Sequence, residues 1–547
     1  MIRSGPRRPD RFSTGFVRMP PDDHVQSWQR LALVWVLVLL TGCASLPSGV
    51  LRTPSMALPV STGSTLGRIA AQSQPSPELS GFRLLPVAAF ALDTRLQLIR
   101  RAERSLDVQY YHIADDEVGY LLLSALRDAA LRGVRVRLLI DDLYTENLDP
   151  LLLGLAAFPN VEVRLFNPFP AGRDFFFTRF LRSAHEFSRV NRRMHNKLLI
   201  ADGAMTVTGG RNIANEYFLR NDQANFVDLD TFATGPLVTE LAAYFDDYWN
   251  SPVVFPVASI VHSTLSVDTL QQRFNALTSD ARQPEAPPAN DVLGYGPIAE
   301  DLDSGQLGLV WASATAYADA PGRIKGMGAS YALVPLEDVE SVRYNVIDLM
   351  RRARSEVLMT TPYMIPGEKG MALLAELRQH KVKVRVLTNS LAATDEPLVH
   401  IGYKRYREPM LALGIELHEL SPVRAKRSKR LGMFRSAQSR LHAKMAVIDR
   451  RLVFLGSMNF DPRSEKTNTE MGVFIDSPQL AREMLRLMDL DKLQASYQVM
   501  LRPDGQGLQW VASDDEGEVV LYDEPDADRF TQFILRLLTP LAPEELL

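Results

Sequence analysis

The hydrophobic and polar positions along the chain follow two patterns that alternate. In 118–142 and again in 369–390, apolar residues first stand three and four positions apart and then form an alternating or continuous apolar run. The first pattern predicts an amphipathic helix and the second a buried strand. A similar helix–strand pair lies at 96–113 and at 346–365. Helices that alternate with buried strands indicate an α/β fold.

These elements recur at an almost constant distance along the chain. Ser105 and Ser355 lie 250 residues apart, and Val134 and Val382 lie 248 residues apart. Such a constant offset indicates two copies of one fold rather than a short motif that recurs by chance. At 547 residues the chain is also too long for one typical core. We therefore expect two tandem domains of the same architecture.

Both copies contain a histidine–lysine pair followed by an aspartate. The pattern occurs in 191–212 and again in 440–459, and its two histidines are 247 residues apart. The motif residues are His195, Lys197 and Asp202 in the first copy and His442, Lys444 and Asp449 in the second. The six histidines outside the motif that we considered are expected to be ordinary surface or core residues: His24, His185, His262, His380, His400 and His418.

The spacing of the motif suits a phosphate group. Side chains two positions apart on a strand share a face, so each histidine should project beside its lysine. Asp202-Gly203 and its equivalent at Asp449 predict hairpin turns, after which Asn212 and Asn459 return close to the histidines. Lysine and asparagine can hold phosphate oxygens. One histidine can attack phosphorus while the other protonates the leaving alcohol. Because histidine is paired with lysine rather than with other metal ligands, we expect no metal and no cofactor.

The paired His-x-Lys-x4-Asp-x6-Gly-x-x-Asn motifs resemble those of the phospholipase D superfamily. The stretches 209-GGRNIANEYF-218 and 456-GSMNFDPRSEKTNTEMG-472, with the ending 541-LAPEELL-547, are similar to bacterial cardiolipin synthases, especially the C type. The likeness covers about residues 85 to 547. It implies an α/β fold of two tandem phospholipase D-like domains, each a mixed β-sheet flanked by helices. The two domains would form a single active site with pseudo-twofold symmetry.

The resemblance also implies a mechanism, in which a phosphatidyl-histidine intermediate passes its phosphatidyl group to a second alcohol or to water. It assigns His195 as the nucleophile and His442 as the general acid and base, with the reverse order as the alternative. A downstream carboxylate is expected to orient each histidine. Asp228 matches that position in the first copy and Glu470 in the second.

The remaining motif residues receive supporting roles. The predicted phosphate ligands are Lys197, Asn212, Lys444, Asn459 and Ser457. Asp202 and Asp449 belong to the catalytic motif, but we interpret them as turn and support residues. Gly210 stands where the superfamily and the second copy have a serine. The first half-site therefore lacks a hydroxyl donor, and the backbone N–H of Gly210 is expected to replace it.

An export signal is predicted at the N-terminal end. An apolar stretch of ten residues at 31–40, with Arg30 before it, is too short to span a bilayer as a helix, which needs about 20 residues. Residues 40–43, Leu-Thr-Gly-Cys, resemble the bacterial lipoprotein box, in which the cysteine is acylated. We therefore expect an exported lipoprotein of the bacterial envelope, anchored through Cys43 and facing the periplasm. Ala44, in place of an aspartate, favours the outer membrane over the inner one.

The chain divides accordingly into predicted segments. These are a signal peptide at 1–42, a tether rich in Ser, Pro, Thr and Gly at 43–84, a first domain at 85–255, a connecting segment at 256–335, a second domain at 336–500, and a C-terminal extension packed on the domains at 501–547.

Two basic segments precede the motifs and bear on the substrate. Residues 173–193 combine six arginines with five phenylalanines, and 421–440 contain seven basic residues and no acid. This composition favours an anionic membrane surface, although a solvated basic loop or a nucleic-acid site would look similar. The net charge of −4 argues against a general nucleic-acid binder. We expect phospholipid substrates, with phosphatidylglycerol first and phosphatidylethanolamine as a second candidate; the sequence names no protein partner.

Three functions fit this sequence. The first is a phosphatidyltransferase that makes cardiolipin. The second is a phospholipase D that hydrolyses phospholipids to phosphatidic acid and uses the same catalytic residues. The third is a non-catalytic membrane-binding protein that has kept the fold, which two intact motifs make a weaker interpretation. A nuclease is a more distant fourth.

Overall fold

A computed structural model describes residues 45–173, 175–279, 281–322, 341–427, 438–488, 495–514 and 517–528, together with residues 532, 535 and 537. The predicted signal peptide, Cys43, the basic residues at 428–437 and the ending 541–547 lie outside the described residues. The chain divides into residues 1–45 and residues 46–547, and all helices and strands given below belong to the second part.

The elements follow one another in this order. Those that lead into and build the first repeat are α1 (Thr65–Ser73), β1 (Ser80–Leu85), α2 (Ala88–Arg101), β2 (Ser105–Tyr110), α3 (Glu117–Leu131), β3 (Arg135–Asp141), α4 (Asp149–Ala156), β4 (Val161–Phe166), α5 (Phe176–Arg182), a 3-10 turn (Ala184–Glu186), α6 (Phe187–Val190), β5 (Lys197–Ala201), β6 (Met205–Gly209), a second 3-10 turn (Asn215–Phe218), β7 (Asn225–Val227), β8 (Asp230–Thr234) and α7 (Pro236–Trp249). The connecting elements are β9 (Val254–Pro256), α8 (Val257–Ile260), α9 (Val267–Thr278), α10 (Ile298–Ser304) and β10 (Val310–Ala318).

The second repeat and the C-terminal strands complete the chain. They are α11 (Val342–Arg351), β11 (Glu356–Thr360), α12 (Gly367–Gln379), β12 (Lys383–Asn389), α13 (Pro397–Ala412), β13 (Glu416–Leu420), α14 (Pro422–Arg427), β14 (Ser439–Leu441), β15 (Met445–Ile448), β16 (Leu452–Gly456), α15 (Pro462–Lys466), β17 (Met471–Asp476), α16 (Pro478–Leu487), β18 (Ser496–Leu501), β19 (Leu508–Asp514) and β20 (Gly517–Leu521).

One continuous sheet runs through both repeats. From β1 its neighbours outward are β8, β6, β5, β2, β3, β4 and β9, and from β10 they are β17, β16, β15, β11, β12, β13 and β18. In both halves the three inner strands, β2–β3–β4 and β11–β12–β13, are parallel, and the motif strand, β5 or β15, is antiparallel to the first of them. The two halves therefore have the same strand order on either side of the β1–β10 pair. This confirms the predicted duplicated α/β fold with a mixed sheet.

A shared core holds the two repeats together. One cluster of buried apolar residues takes Leu198 and Trp249 from the first repeat and Leu455 and Leu480 from the second. Separate clusters lie under the outer helices of each repeat. Because interiors are close-packed, a shared core fixes one repeat against the other and so fixes any site between them. In the described ranges, no helix is long and apolar enough to cross a membrane.

The segment predicted as a tether at 43–84 lies largely on the folded body. The Arg52 Nε atom donates to the Val254 carbonyl at 2.6 Å, and the Ala57 N–H donates to the Asp246 carboxylate at 2.8 Å. Helix α1 follows, and β1 is a central strand of the sheet between β8 and β10. The prediction of a tether from composition was wrong for this part of the chain. The segment has no apolar pattern of its own, but its polar groups find hydrogen-bond partners on the folded body.

Candidate active site

The two motif histidines are each held at the boundary between the repeats. His195 stands two residues before β5, and its backbone N–H donates to the Thr469 carbonyl of the other repeat at 2.8 Å. His442 stands three residues before β15, and its backbone N–H donates to the Val227 carbonyl at 2.8 Å. Each histidine is therefore attached to the segment that carries the carboxylate of the opposite repeat.

Those carboxylates bond the histidines crosswise. Asp228 of the first repeat places Oδ2 at 2.6 Å from Nδ1 of His442. Glu470 of the second repeat places Oε2 at 3.1 Å from Nδ1 of His195. Both carboxylates are buried. A carboxylate at Nδ1 accepts a hydrogen bond from the N–H of that nitrogen and leaves Nε2 of the imidazole for chemistry. The sequence predicted both carboxylates as orienting residues, and the structure brings each of them to a histidine.

Ser457 is hydrogen-bonded to Glu470. Its hydroxyl donates to Glu470 Oε2 at 2.5 Å and accepts from the Met471 N–H at 3.0 Å. The Ser464 hydroxyl donates to the other carboxylate oxygen at 2.8 Å. A serine has one hydroxyl proton, and here the nearby carboxylate takes it. In the unliganded site the Ser457 hydroxyl is thus committed to Glu470, and its phosphate-binding role stays a prediction.

Gly210 makes room for Asp228. A Cβ atom at this position would stand 2.0 Å from Asp228 Oδ1, a distance that no side chain can occupy. The backbone N–H of Gly210 donates to the Leu229 carbonyl at 3.1 Å, so it does not replace a hydroxyl donor as we had expected. The first repeat therefore has glycine where the second has serine because the Asp228 carboxylate leaves no room for a Cβ atom at position 210.

The two motif lysines are hydrogen-bonded to the backbone of the histidines. Lys197 donates through Nζ to the carbonyl of His195, and Lys444 donates to the carbonyl of His442, both at 2.6 Å. Each ammonium has two further N–H groups. Burial, followed by the charge of Lys444, lowers the pKa of Lys197 to about 7, and burial lowers the pKa of Lys444 to about 8. A bound phosphate anion would favour the charged form of both.

Burial favours the neutral form of both histidines in the unliganded site. Burial, and then the charge of Lys197, lowers the pKa of His195 to about 4. Burial, and then the charge of Lys444, lowers the pKa of His442 to about 3. A neutral imidazole can attack phosphorus, and the negative charge of a bound phosphodiester would help the second imidazole to hold a proton.

Both histidines open into one cavity of about 490 Å³. Asn212 and Asn459 line it as predicted, and among the described residues the side-chain oxygen of each has no hydrogen-bond partner. The ring of Tyr111 packs edge-on against His195 with centroids 4.8 Å apart, and Tyr217 packs against His442 at 5.1 Å. On one side the wall is apolar, from Leu143, Tyr144, Phe180 and Val190. On another it is acidic, from Glu216, Asp395 and Glu396.

His112 is a third histidine of this cavity, and sequence reasoning missed it. It follows β2, which pairs with β5, and Tyr110 of β2 lies opposite Lys197 of β5. Burial and the charge of Lys197 lower its pKa to about 4, so it too is neutral. Its equivalent in the second repeat is Tyr363, since each precedes a residue that bridges to the segment after the motif. A histidine at the end of the strand beside the motif strand was the signal that could have found it.

Asp202 and Asp449 stand at the turns after the motif strands, away from the cavity lining. Asp202 accepts hydrogen bonds from the backbone N–H groups of residues 103, 104 and 105, and Asp449 accepts from those of residues 354, 355 and 356. Both have positive φ angles, 55° and 52°. The geometry fits the predicted turn and support role. No cluster of metal-ligating side chains occurs in the described part of the chain, and the absence of a metal from the reaction remains a prediction.

The fold and the paired histidine sites define a protein of the phospholipase D superfamily. The family model "Cardiolipin synthase, PLD-like domain" matches residues 96–249 and 346–491. The chain is 38% identical over 470 residues to "Cardiolipin synthase C" of Escherichia coli strain K12, which covers 84% of this chain and 94% of that protein. It is 23% identical over 398 residues to "Cardiolipin synthase 1" of Bacillus anthracis, covering 73% of this chain and 63% of that protein.

A solved structure has the same fold. The phosphatidylserine synthase of Haemophilus influenzae Rd KW20 is similar with a TM-score of 0.53 and 15% identity, over 88% of this chain and 100% of that one. The family model, matched over both segments, and the Escherichia coli relative show that this chain belongs to the cardiolipin synthase, PLD-like family.

Proposed function

We propose that this protein is a phosphatidyltransferase that makes cardiolipin from phosphatidylglycerol and a second phospholipid. The observation that carries the proposal is the pair of histidines in one cavity, each bonded at Nδ1 by the carboxylate of the other repeat. Two separately oriented imidazoles suit a reaction in two displacement steps. The similarity to a protein named cardiolipin synthase C supports the choice of product.

In the first step Nε2 of His195 attacks the phosphorus of phosphatidylglycerol. His442 takes up a proton at Nε2 when the phosphodiester anion binds. The bond from phosphorus to the headgroup oxygen then breaks, and His442 gives this proton to that oxygen, so that glycerol leaves. Lys197 and Lys444 supply positive charge where charge develops on the phosphate oxygens. The product of this step is a phosphatidyl group bound to His195.

In the second step a headgroup hydroxyl of another phosphatidylglycerol molecule attacks the same phosphorus. His442, now neutral, takes the proton of the attacking hydroxyl, the bond from phosphorus to His195 breaks, and diphosphatidylglycerol leaves. Water in place of the alcohol would release phosphatidic acid, which is the hydrolase reaction. The apolar and aromatic wall of the cavity favours a lipid acceptor over water.

Labelled phosphatidylglycerol, with and without phosphatidylethanolamine, tests this function when the products are identified by mass. Diphosphatidylglycerol is expected. Because phosphatidylethanolamine has no headgroup hydroxyl, a gain on its addition would identify it as a second phosphatidyl donor, with ethanolamine as the alcohol that leaves. Phosphatidic acid as the only product would replace the synthase with a phospholipase D. Turnover that survives His195→Ala would rule out the proposed intermediate.

We further propose that the protein is an exported lipoprotein, acylated at Cys43 and held at the periplasmic face of the bacterial envelope, at the outer membrane. The motif at residues 40–43 and the short apolar stretch before it support this location. Labelled palmitate should enter the wild-type protein but not Cys43→Ser. Membrane fractionation of the labelled protein then distinguishes the outer from the inner membrane.

A further inference from the structure

Large apolar side chains are exposed beside the active-site cavity. Phe175, Phe177, Leu181 and Phe187 are 66%, 75%, 49% and 48% exposed, and they lie within one segment of thirteen residues. We call residues 175–190, which comprise α5, the 3-10 turn and α6, the apolar platform. Isolated exposed apolar residues are normal in folded proteins, but a concentration of them marks an interaction surface.

The inner side of the apolar platform is part of the cavity wall. Phe180 and Val190 line the cavity and pack against Leu143 and Phe169. A ligand that enters the cavity over this wall passes from the exposed phenylalanines to the reacting histidines along apolar surface. The exposed side and the catalytic side therefore belong to the same short segment.

Buried polar contacts hold the platform in place. Arg173, just before it, donates to the buried Asp142 carboxylate at 2.6 Å. Arg179 of α5 is itself buried and donates to the Asp142 carbonyl at 2.7 Å. At the other end, the Asn167 side chain donates to the Arg189 carbonyl at 2.9 Å. The phenylalanines are thus presented to solvent by a fixed scaffold.

The N-terminal segment leaves the body next to the same platform. Arg52 is bonded to the Val254 carbonyl, and Val254 pairs with Phe166, the neighbour of the Asn167 that holds the platform. Nine residue steps separate Arg52 from Cys43, which is a reach of at most about 30 Å. A lipid anchor on Cys43 would therefore keep the bilayer within reach of the platform.

We propose that the apolar platform docks on the surface of the bilayer in which Cys43 is anchored and that a phospholipid enters the cavity over Phe180. This inference rests on the proposed function, since it assigns the route by which that substrate arrives. Exposed aromatic residues suit the boundary between headgroups and acyl chains, and the exposed Arg182 suits anionic headgroups.

A comparison of two substrates tests the docking in the full-length lipidated protein. One substrate is phosphatidylglycerol in vesicles with phosphatidylcholine, and the other is dihexanoyl phosphatidylglycerol below the concentration at which it aggregates. The variant carries Phe175→Ser, Phe177→Ser and Leu181→Ser. We expect its vesicle turnover to fall more than about tenfold, and its turnover of the monomeric lipid to change less than about twofold.

The matched control removes exposed apolar residues far from the cavity lining: Leu131→Ser, Val267→Ser and Leu277→Ser. This variant should keep both activities. Equal losses of turnover on both substrates in the platform variant would mean that the segment only supports the cavity. Full turnover of vesicles would mean that the platform does not dock. Either result would overturn the docking. A wild type that turns over neither lipid would instead reject the proposed function.

A fluorescence measurement tests docking without any turnover. Cys43 is the only cysteine of the sequence, and acylation blocks its sulfur in the full-length lipidated protein. Phe177→Cys therefore supplies one free thiol for an environment-sensitive fluorophore on the platform, and Leu131→Cys is the control. Addition of phosphatidylglycerol vesicles should shift the emission to the blue at position 177 and not at position 131. Three results would overturn the docking: equal shifts at both positions, no shift at position 177, or a shift at position 177 that appears without vesicles as the protein concentration rises. The last result would indicate that a second copy of the chain occupies the platform.

Discussion

Asp228 and His442 belong to different repeats and share a hydrogen bond of 2.6 Å. The reciprocal pair of Glu470 and His195 is 3.1 Å long. Neither repeat therefore contains a complete histidine–carboxylate pair, and each half of the site depends on the other. The dependence can be measured because the proposed mechanism uses the two pairs in different chemical steps.

Replacing Asp228 should impair His442 and leave His195 oriented. A phosphatidyl ester of p-nitrophenol has a leaving group that needs no proton, so Asp228→Asn should keep a rapid first release of p-nitrophenol. Its later turnover should be slower by a factor of about 100 or more, because His442 can no longer be stabilised as an imidazolium. Glu470→Gln should slow the first release itself. Stopped-flow absorbance measures both phases.

Asp222→Asn, a change on an exposed side chain in the loop before β7, is the control for these variants. Mass spectrometry of the trapped protein should find the phosphatidyl group on His195. An adduct on His442 would reverse the two catalytic roles. An adduct on His195 together with a slowed first release in Asp228→Asn would contradict the crosswise assignment of the carboxylates.

The serine of the second repeat should not be tolerated in the first. In Gly210→Ser the new Cβ would meet Asp228 Oδ1 at 2.0 Å, so the carboxylate must move away from His442. We expect a loss of kcat similar to that of Asp228→Asn, about 100-fold or more. Gly322→Ala, whose new Cβ would meet no atom of the described residues within 4 Å, should keep full activity. Wild-type kcat in a well-folded Gly210→Ser would show that Asp228 is not needed where it stands.

Lys197 should determine how activity falls at alkaline pH. Burial and the charge of Lys444 lower its pKa to about 7, so the ammonium loses its proton as the pH rises through that value. The parameter kcat/KM, which reports the free enzyme, should therefore fall between pH 7 and 9. Lys197→Arg keeps its charge over this range and should move the falling limb to higher pH, whatever its effect on the maximum rate. The exposed Lys466→Arg is the control, and an unmoved limb in Lys197→Arg would assign the titration to another group.

Asp202 should matter for stability and not for chemistry. Its buried carboxylate accepts three backbone N–H groups, so Asp202→Asn should lower the free energy of unfolding by about 1–3 kcal/mol. Asp449→Asn should cost less because Asp449 is partly exposed. Urea unfolding measures the loss, and kcat per folded molecule should stay within about twofold of wild type. A large loss of kcat at unchanged stability would instead place Asp202 in the reaction.

Periodicity and repetition were enough to predict the duplicated α/β fold. The pattern of helix and strand at 118–142 and 369–390 corresponds to α3–β3 and α12–β12. Composition was a weaker guide at the N-terminal side, where it indicated a tether and the structure has the central strand β1. A short strand of mixed composition acquires its place by pairing with strands far away in sequence, and no local pattern records that pairing.

The candidate site divides in the same way. The motif identified His195, His442 and their lysines because strand geometry places alternate side chains on one face, a local property. It did not identify His112, whose relation to the motif arises from the pairing of β2 with β5.

The sequence by itself determined the repeated fold and the two motif histidines, because each is written in local spacing or in repetition of that spacing. The two carboxylates were implied by the resemblance to the phospholipase D superfamily. Only the tertiary structure showed that Asp228 is hydrogen-bonded to His442 and Glu470 to His195. It also showed that the Ser457 hydroxyl donates to Glu470 and that a side chain at Gly210 would collide with Asp228. These relations join residues as many as 275 positions apart. They exist because the shared core brings the two repeats face to face.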